Sequence, residues 1–428
     1  MAPPPSRPVE PARSPRASTR PSAHPSTRLP TDPSTRPSTH PSTRLRASEP
    51  PALRPARKGR GARTNPTGRF EVRRIEPDLD ALASSLPIPA GGAPEGARPE
   101  QDSRDEGPSP HAAPSPTLAL RDPSRSAITT NQSPDLPFDA SLNPYRGCEH
   151  GCAYCYARPT HEYLGYSAGL DFETKILVKE DAPQLLRREL SRPSWQPRVV
   201  AISGVTDAYQ PLERKLELTR RCVEVFAEFR NPITIITKNA LVVRDIDLFR
   251  RLAEYGAISV ALSLTTLDRP LQRALEPRAS SPDERLRAIE TLARAGIPTG
   301  VMVAPIIPGL TDEETPALLA AAASAGARRA GYIVLRLPHG LRALFDDWLL
   351  THRPLRRDKV LHRLESLRGG RLNDPRFGSR LRGEGIFARQ IADVFRIQAR
   401  RLGLDAPHPP LSTAAFRRPG GEQLVLGL

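Results

Sequence analysis

Cys148-Glu-His-Gly-Cys152-Ala-Tyr-Cys155 sets three cysteines in one short loop, with three and then two residues between them. The only other cysteine among the 428 residues is Cys222. Three neighbouring thiolates suit a soft metal centre and leave one coordination position without a protein ligand. A cluster with an open iron is a reactive site rather than a closed staple, so the spacing points to catalysis. Zinc is the competing occupant and needs a fourth donor, for which His150 or His161 would complete a Cys3His set. A simple electron-transfer cluster uses four cysteines. Cys222 fills that role poorly, because Leu218, Cys222, Val225, Phe226 and Phe229 form one apolar stripe of a helix, which reads as core.

Downstream of the loop the apolar pattern alternates in period. Short β-rich runs recur at Val199–Ile202, Ile233–Thr237, Ile258–Ser263, Gly300–Ala304 and Gly331–Leu335, with amphipathic helical segments at Leu216–Phe229, Asp245–Glu254, Pro282–Ala295 and Asp312–Ala325. With an initial strand near Ser141–Tyr145 this makes about six βα units around a parallel sheet, an α/β fold. Such a sheet is either open and doubly wound or a partial barrel. In both, chemistry gathers at the carboxyl ends of the strands. Those ends carry Ser203-Gly-Val-Thr-Asp207, Thr237-Lys-Asn239, Ser263-Leu-Thr-Thr266 and Arg336-Leu-Pro-His339. Taken singly, each is ordinary loop polarity; taken together, they outline a small-molecule site.

The flanks are different in kind. Residues 1–57 hold 15 of the 49 prolines and repeat Pro-Ser-Thr-Arg/His at 25, 33, 37 and 41. Ten arginines against three acids there account for seven of the sixteen net positive charges. Without apolar periodicity the repeat cannot offset its ordering entropy, so it reads as a disordered tail, either a phosphate-binding arm or a solvated extension. Residues 58–126 read as an arm (Lys58–Glu76) followed by a low-complexity linker, 127–404 as the folded core with a C-terminal helical extension, and 405–428 as a flexible tail. No secretory apolar segment and no run long enough for a membrane span is present. Together with the few, clustered cysteines this fits a reducing cytoplasm.

Several of these stretches resemble one family. Ser141-Leu-Asn-Pro-Tyr-Arg-Gly-Cys148, Tyr154-Cys-Tyr156-Ala-Arg-Pro, Thr206-Asp-Ala-Tyr-Gln-Pro211 and Thr237-Lys238, with the cysteine spacing, resemble the radical S-adenosylmethionine (radical SAM) superfamily in its spore photoproduct lyase-related branch. Gly59-Arg-Gly-Ala62, Leu170-Asp-Phe-Glu-Thr-Lys175, Met302–Gly309 and Arg376–Gly385 are similar to a bacterial group within that branch. The resemblance spans about Lys58–Leu404. It implies a partial (β/α)6 barrel and a [4Fe–4S] cluster on Cys148, Cys152 and Cys155. SAM would chelate the fourth iron and be cleaved reductively to a 5′-deoxyadenosyl radical. It further implies Tyr154 against the adenine, Lys238 on the SAM carboxylate, and Ser263 and Thr265 toward the ribose or methionyl group. The superfamily's usual Gly-Gly-Glu is absent. Gly204, Thr206 and Asp207 stand in its place as candidates for the methionyl amino group, and Arg336 is a second candidate for the carboxylate, or else a cap or ion pair.

Spore photoproduct lyases are thought to return a hydrogen atom through a further cysteine, and the only candidate here is Cys222. A tyrosine such as Tyr156, Tyr163 or Tyr209 is the other candidate, with Tyr156 and Tyr209 carried as catalytic; the equal alternative is that these rings are packing residues. The implied partners are a flavodoxin- or ferredoxin-type reductant and DNA. Gln423-Leu-Val-Leu-Gly-Leu428 resembles the peptide by which bacterial DNA-processing proteins dock on the sliding clamp; the alternative is a frayed tail with chance leucines. The reading is a radical SAM enzyme acting on nucleic acid. Modification of a peptide or small molecule, and a metal-stabilised nucleic-acid-binding module, are the alternatives.

Overall fold

The computed structural model describes residues 59–70, 116–406 and 410–419. The repeat tail and the Gln423–Leu428 peptide lie outside them. The strands are β1 (Leu118–Arg121), β2 (Ile128–Thr130), β3 (Ala140–Leu142), β4 (Tyr145–Arg146), β5 (Lys175–Val178), β6 (Val200–Ile202), β7 (Ile233–Thr237), β8 (Ile258–Leu264), β9 (Thr299–Ile306) and β10 (Arg329–Val334). The main sheet runs β10-β9-β8-β7-β6-β3-β2. Its six strands β3 and β6–β10 are all parallel, and β2 closes the edge antiparallel to β3. Strand order follows chain order without reversal, so every crossover winds in the same sense. A doubly wound sheet would reverse at a switch point. The α/β expectation is borne out, and the sequential order accords with the wall of a partial barrel.

Helices return the chain between strands: α1 (Ala182–Ser191), α2 (Leu218–Phe229), α3 (Ile246–Ala253), α4 (Arg269–Leu275), α5 (Pro282–Arg294) and α6 (Thr315–Ser324). Three more, α7 (Leu341–His352), α8 (Arg357–Ser366) and α9 (Gly385–Arg401), follow the last strand. Local chemistry sets their starts. Ser281 and Glu284 form a reciprocal capping box at α5 with Pro282 in the first turn. Asp268 caps α4 by accepting from the Leu271 amide.

Register assigns the two faces of the sheet. Ile258, Val260, Leu262 and Leu264 of β8 are fully buried under the helices, in one core with Val301, Val303, Ile235 and Val334. Alternation turns Ser259, Ala261 and Ser263 to the opposite, inner face. Their paired neighbours follow: Ala261 sits beside Ile236 and Gly300, and Ser263 beside Met302. This face is lined mostly by small side chains, and Ile236 on it is 37% exposed. The face is partly open, with Ser259 and Ser263 buried and Ile236 exposed. Cys222 lies on the other side, fully buried within the helix-covered core.

A second sheet, β1-β5-β4, was not anticipated. β1 falls within residues read as low-complexity linker, and β4 has only two residues, too short to carry a period. Its effect is positional, because β4 leads directly into the cysteine loop.

Candidate active site

The cysteine loop sits at the carboxyl end of the parallel strands and is fixed from every side by backbone hydrogen bonds. The Cys148 amide donates to Phe172 O (2.8 Å), the Ala153 amide to Leu275 O (2.9 Å) and the Arg278 amide to His150 O (3.2 Å). The Thr206 hydroxyl donates to Gly147 O (2.7 Å), and Gln210 reaches the same carbonyl while accepting from the Glu149 amide. Gly151 adopts φ +67°, a left-handed turn that other residues resist.

Beneath the loop lies a buried ion pair. Glu173 and Arg158 meet at 2.6 Å, both side chains without solvent exposure. Arg158 also donates twice to Cys152 O and to the carbonyls of Ala168 and Gly169, which commits its whole fork to the loop and its neighbours. Glu173 accepts from the amides of Gly61 (3.0 Å) and Ala62 (2.8 Å), tying in the arm 59–70. A Cβ on Gly61 would stand 1.7 Å from Gly151 O, so only glycine permits this approach.

The thiols point into one shared environment. Burial pushes Cys152 well above the ordinary thiol range, reinforced by the Glu276 carboxylate and by the other two cysteines. Burial likewise raises Cys155, with Cys148 as the next cause. Cys152 and Cys155 become thiolates when a cation offsets both penalties. Neither histidine is poised as a fourth ligand. His161 hydrogen-bonds Lys175 O (3.0 Å), and its pKa is lowered to about 4 by burial. His150 faces Asp207 (3.4 Å) and Asn239 (3.3 Å); burial opposes its charge, but Asp207 and then Cys148 raise it to about 10. Among the described residues no group of three or more His, Cys, Asp or Glu closes on a single ion. Three thiols in one loop without a fourth protein ligand are the donor chemistry that a cluster with one open iron takes.

Lys238, at the end of β7, lies with its ammonium 5.9 Å from the Tyr154 ring centre and within electrostatic reach of Cys152, Cys155 and Glu276. Tyr154 hydrogen-bonds Glu276 and Thr265, so Thr265 sits in a buried polar knot. Ser263 is on the inner face, and its carbonyl accepts from Arg285 (2.8 Å). Arg336 stacks 5.1 Å over the Tyr156 ring, and Tyr156 donates to Gly204 O. Ser203 and Gly204 both have left-handed φ, +120° and +144°, the strained turn that ends β6 beside this cluster. Tyr154, Lys238, Ser263, Thr265 and the cysteines are thus brought together, with Tyr156, Gly204 and Arg336 on the adjoining rim.

Three candidates are placed otherwise. Tyr209 is fully buried and donates to Asp245 (3.0 Å) in an ion-pair network with Arg220 and Arg244, away from the cysteines. Asp207 accepts from Thr237 (2.7 Å), the Lys238 amide (2.8 Å) and the Tyr209 amide (2.9 Å), besides pairing with His150. Thr206 is committed to the loop carbonyl. Asp207 and Thr206 therefore position the strand ends.

Glu276 and Arg285 were not foreseen. They form a buried pair under Tyr154, and their separation from the cysteines in the chain gave no signal. Burial opposes ionisation of Glu276, but Arg285 and then Lys238 hold its pKa down to about 2 from an ordinary 4.5. A depressed carboxylate pKa stabilises the fold above about 4.5, and that stability is lost as pH falls through about 2. Glu276→Gln is expected to cost roughly 3 kcal/mol at pH 7. The gap to wild type should close as pH falls across that window in denaturant titrations. A gap that does not change with pH would contradict the assignment.

A family model described as the radical SAM superfamily matches residues 142–322. An uncharacterised protein of Mycobacterium tuberculosis is 37% identical over 283 residues, 66% of this chain and 80% of the relative. The chain belongs to the radical SAM superfamily. A radical SAM Nα-GlyT isomerase of Pseudomonas phage M6 is 31% identical over 173 residues, 40% of this chain and 34% of the relative. The solved structure of spore photoproduct lyase complexed with dinucleoside spore photoproduct is similar at TM-score 0.49 and 16% identity, covering 66% of this chain and 79% of that one. The superfamily's cofactors are a [4Fe–4S] cluster and SAM. No helix among the described residues is long and apolar enough to cross a membrane.

Proposed function

We propose that this radical SAM chain holds its cluster on Cys148, Cys152 and Cys155, binds SAM beside Lys238 and Tyr154, and acts on nucleic acid. The observation carrying this is the convergence of three desolvated thiols with Lys238 at the strand ends. When bound and reduced by one electron, the cluster and SAM supply methionine and a 5′-deoxyadenosyl radical that takes a hydrogen atom from substrate. Lys238 supplies a cation for the SAM carboxylate. Tyr154, locked by Glu276 and Thr265, offers a fixed aromatic face. Arg158 and Glu173 keep the loop from relaxing.

The nucleic-acid reading rests on the rim. Arg336 stacks on half-exposed Tyr156, and Arg380 lies 4.5 Å over the exposed Phe377 ring. Burial and then the nearby Arg380 charge lower the Arg336 pKa, while Asp135, paired with Arg380 at 2.5 Å, offsets part of the charge on this edge. Guanidiniums interleaved with aromatic faces stack bases and neutralise phosphates. Anaerobically reconstituted protein is expected to carry about four irons per chain and to form 5′-deoxyadenosine with a strong reductant. Zinc in place of iron, or no cleavage, would sink the enzyme reading. Deuterium should pass from a deuterated oligonucleotide into 5′-deoxyadenosine. Transfer from neither DNA nor RNA would move the substrate to a peptide or small molecule.

A further inference from the structure

Arg329 is the only charged side chain on the inner face of the main-sheet strands among the described residues. Register puts it beside Gly300, which pairs in turn with Ala261. Gly300 has no side chain to block the crossing, and the guanidinium reaches over β9 to the Ser259 hydroxyl on β8. Gly331, two residues on, leaves space that the Met302 thioether fills, since a Cβ there would meet its sulfur at 2.7 Å. No carboxylate pairs with Arg329 among the described residues, although most buried or half-buried arginines here have one, such as Arg158, Arg244 and Arg285. Burial alone lowers its pKa. A half-buried cation satisfied by one hydroxyl is costly unless an anion completes it.

We infer that Arg329, with Ser259, binds an anionic group of the substrate on the floor of the sheet's inner face. This rests on the reading that the cysteines, Lys238 and Tyr154 mark the cofactor end. Ser259 lies four residues before Ser263, so the anchor sits about 13 Å below that end. A substrate that reaches both ends is therefore extended along the strands. For a nucleic acid, the group that fits is a backbone phosphate, which an arginine fork takes in two hydrogen bonds.

The test is labelling of the full chain with phenylglyoxal, read residue by residue by mass spectrometry. Inorganic phosphate is the probe, against sodium chloride at matched ionic strength. Arg329 should label in chloride. Phosphate several-fold above its dissociation constant should slow that labelling about fivefold, since protection follows occupancy. Arg294, an exposed arginine whose side chain is 78% accessible, should label equally in both. An Arg329 that does not label in chloride, or labels equally in phosphate, overturns the anchor. Protection by acetate but not by phosphate overturns the phosphate assignment in favour of a carboxylate. Failure of the wild-type chain to cleave SAM, with phosphate protection intact, would instead overturn the cofactor reading.

Discussion

Alanine at any one of Cys148, Cys152 or Cys155 is expected to lower bound iron from about four atoms per chain to below about one. SAM cleavage should fall by at least about a thousandfold, equivalent to about 4 kcal/mol of barrier. The argument is electrostatic as well as coordinative. Cys152 and Cys155 are held as thiols by burial, reinforced by Glu276 at Cys152 and by Cys148 at Cys155, so thiolate formation and metal binding are one event. Two remaining thiols face the same desolvation with fewer irons to offset it. The buried histidines are turned to other partners, His150 to Asp207 and Asn239 and His161 through Nε2 to Lys175 O. Cys222→Ala is the contrast. That side chain is buried in the helix-covered core, so its loss should cost about 1 kcal/mol of stability and leave iron unchanged. Iron analysis and 5′-deoxyadenosine yield on the four variants decide the matter. Full iron in the Cys148, Cys152 and Cys155 variants would remove them as ligands, and loss in Cys222→Ala would return that thiol to the site.

The main sheet was legible because its strands are buried on the helix side and bounded by turns, which fixes both period and count. β8 alternates Ile-Ser-Val-Ala-Leu-Ser-Leu, so even its inner face was written in the chain. The small sheet was not legible: β1 and β5 pair across about fifty residues with four residues each. The cysteines were legible because their spacing is local. The residues that hold them were not. Gly61, Arg158 and Glu173 each stood in a stretch that had drawn notice, yet nothing in those stretches said that they meet. Tyr209 and Asp207 mark the opposite limit. Strand-end position made them candidates, but whether a polar group faces ligand or protein depends on partners such as Asp245 and Thr237, which a single sequence does not reveal.

Glu173→Ala is expected to be the most destabilising single change at the site. It removes the one carboxylate that pairs with Arg158 among the described residues, where the Arg158 side chain has no solvent exposure, and removes the acceptor for two arm amides. A buried cation stripped of its partner costs about 3–5 kcal/mol. The unfolding midpoint should accordingly drop by about 5–10 °C. Glu173→Gln keeps an acceptor for the Gly61 and Ala62 amides and should fall between alanine and wild type. The distinguishing measurement is the order of events on warming. Arg158 holds Cys152 O through two nitrogens, so iron should be released from Glu173→Ala well below its global unfolding midpoint, while wild type keeps iron until it unfolds. Gly61→Ala attacks the same junction from the other side, with its new methyl 1.7 Å from Gly151 O, and should release iron early even with the ion pair intact. If both variants lose iron only on global unfolding, the arm and the ion pair stabilise the fold without ordering the loop. Early loss in both would make the arm part of the cluster's binding site, although it lies nearly ninety residues before the first cysteine.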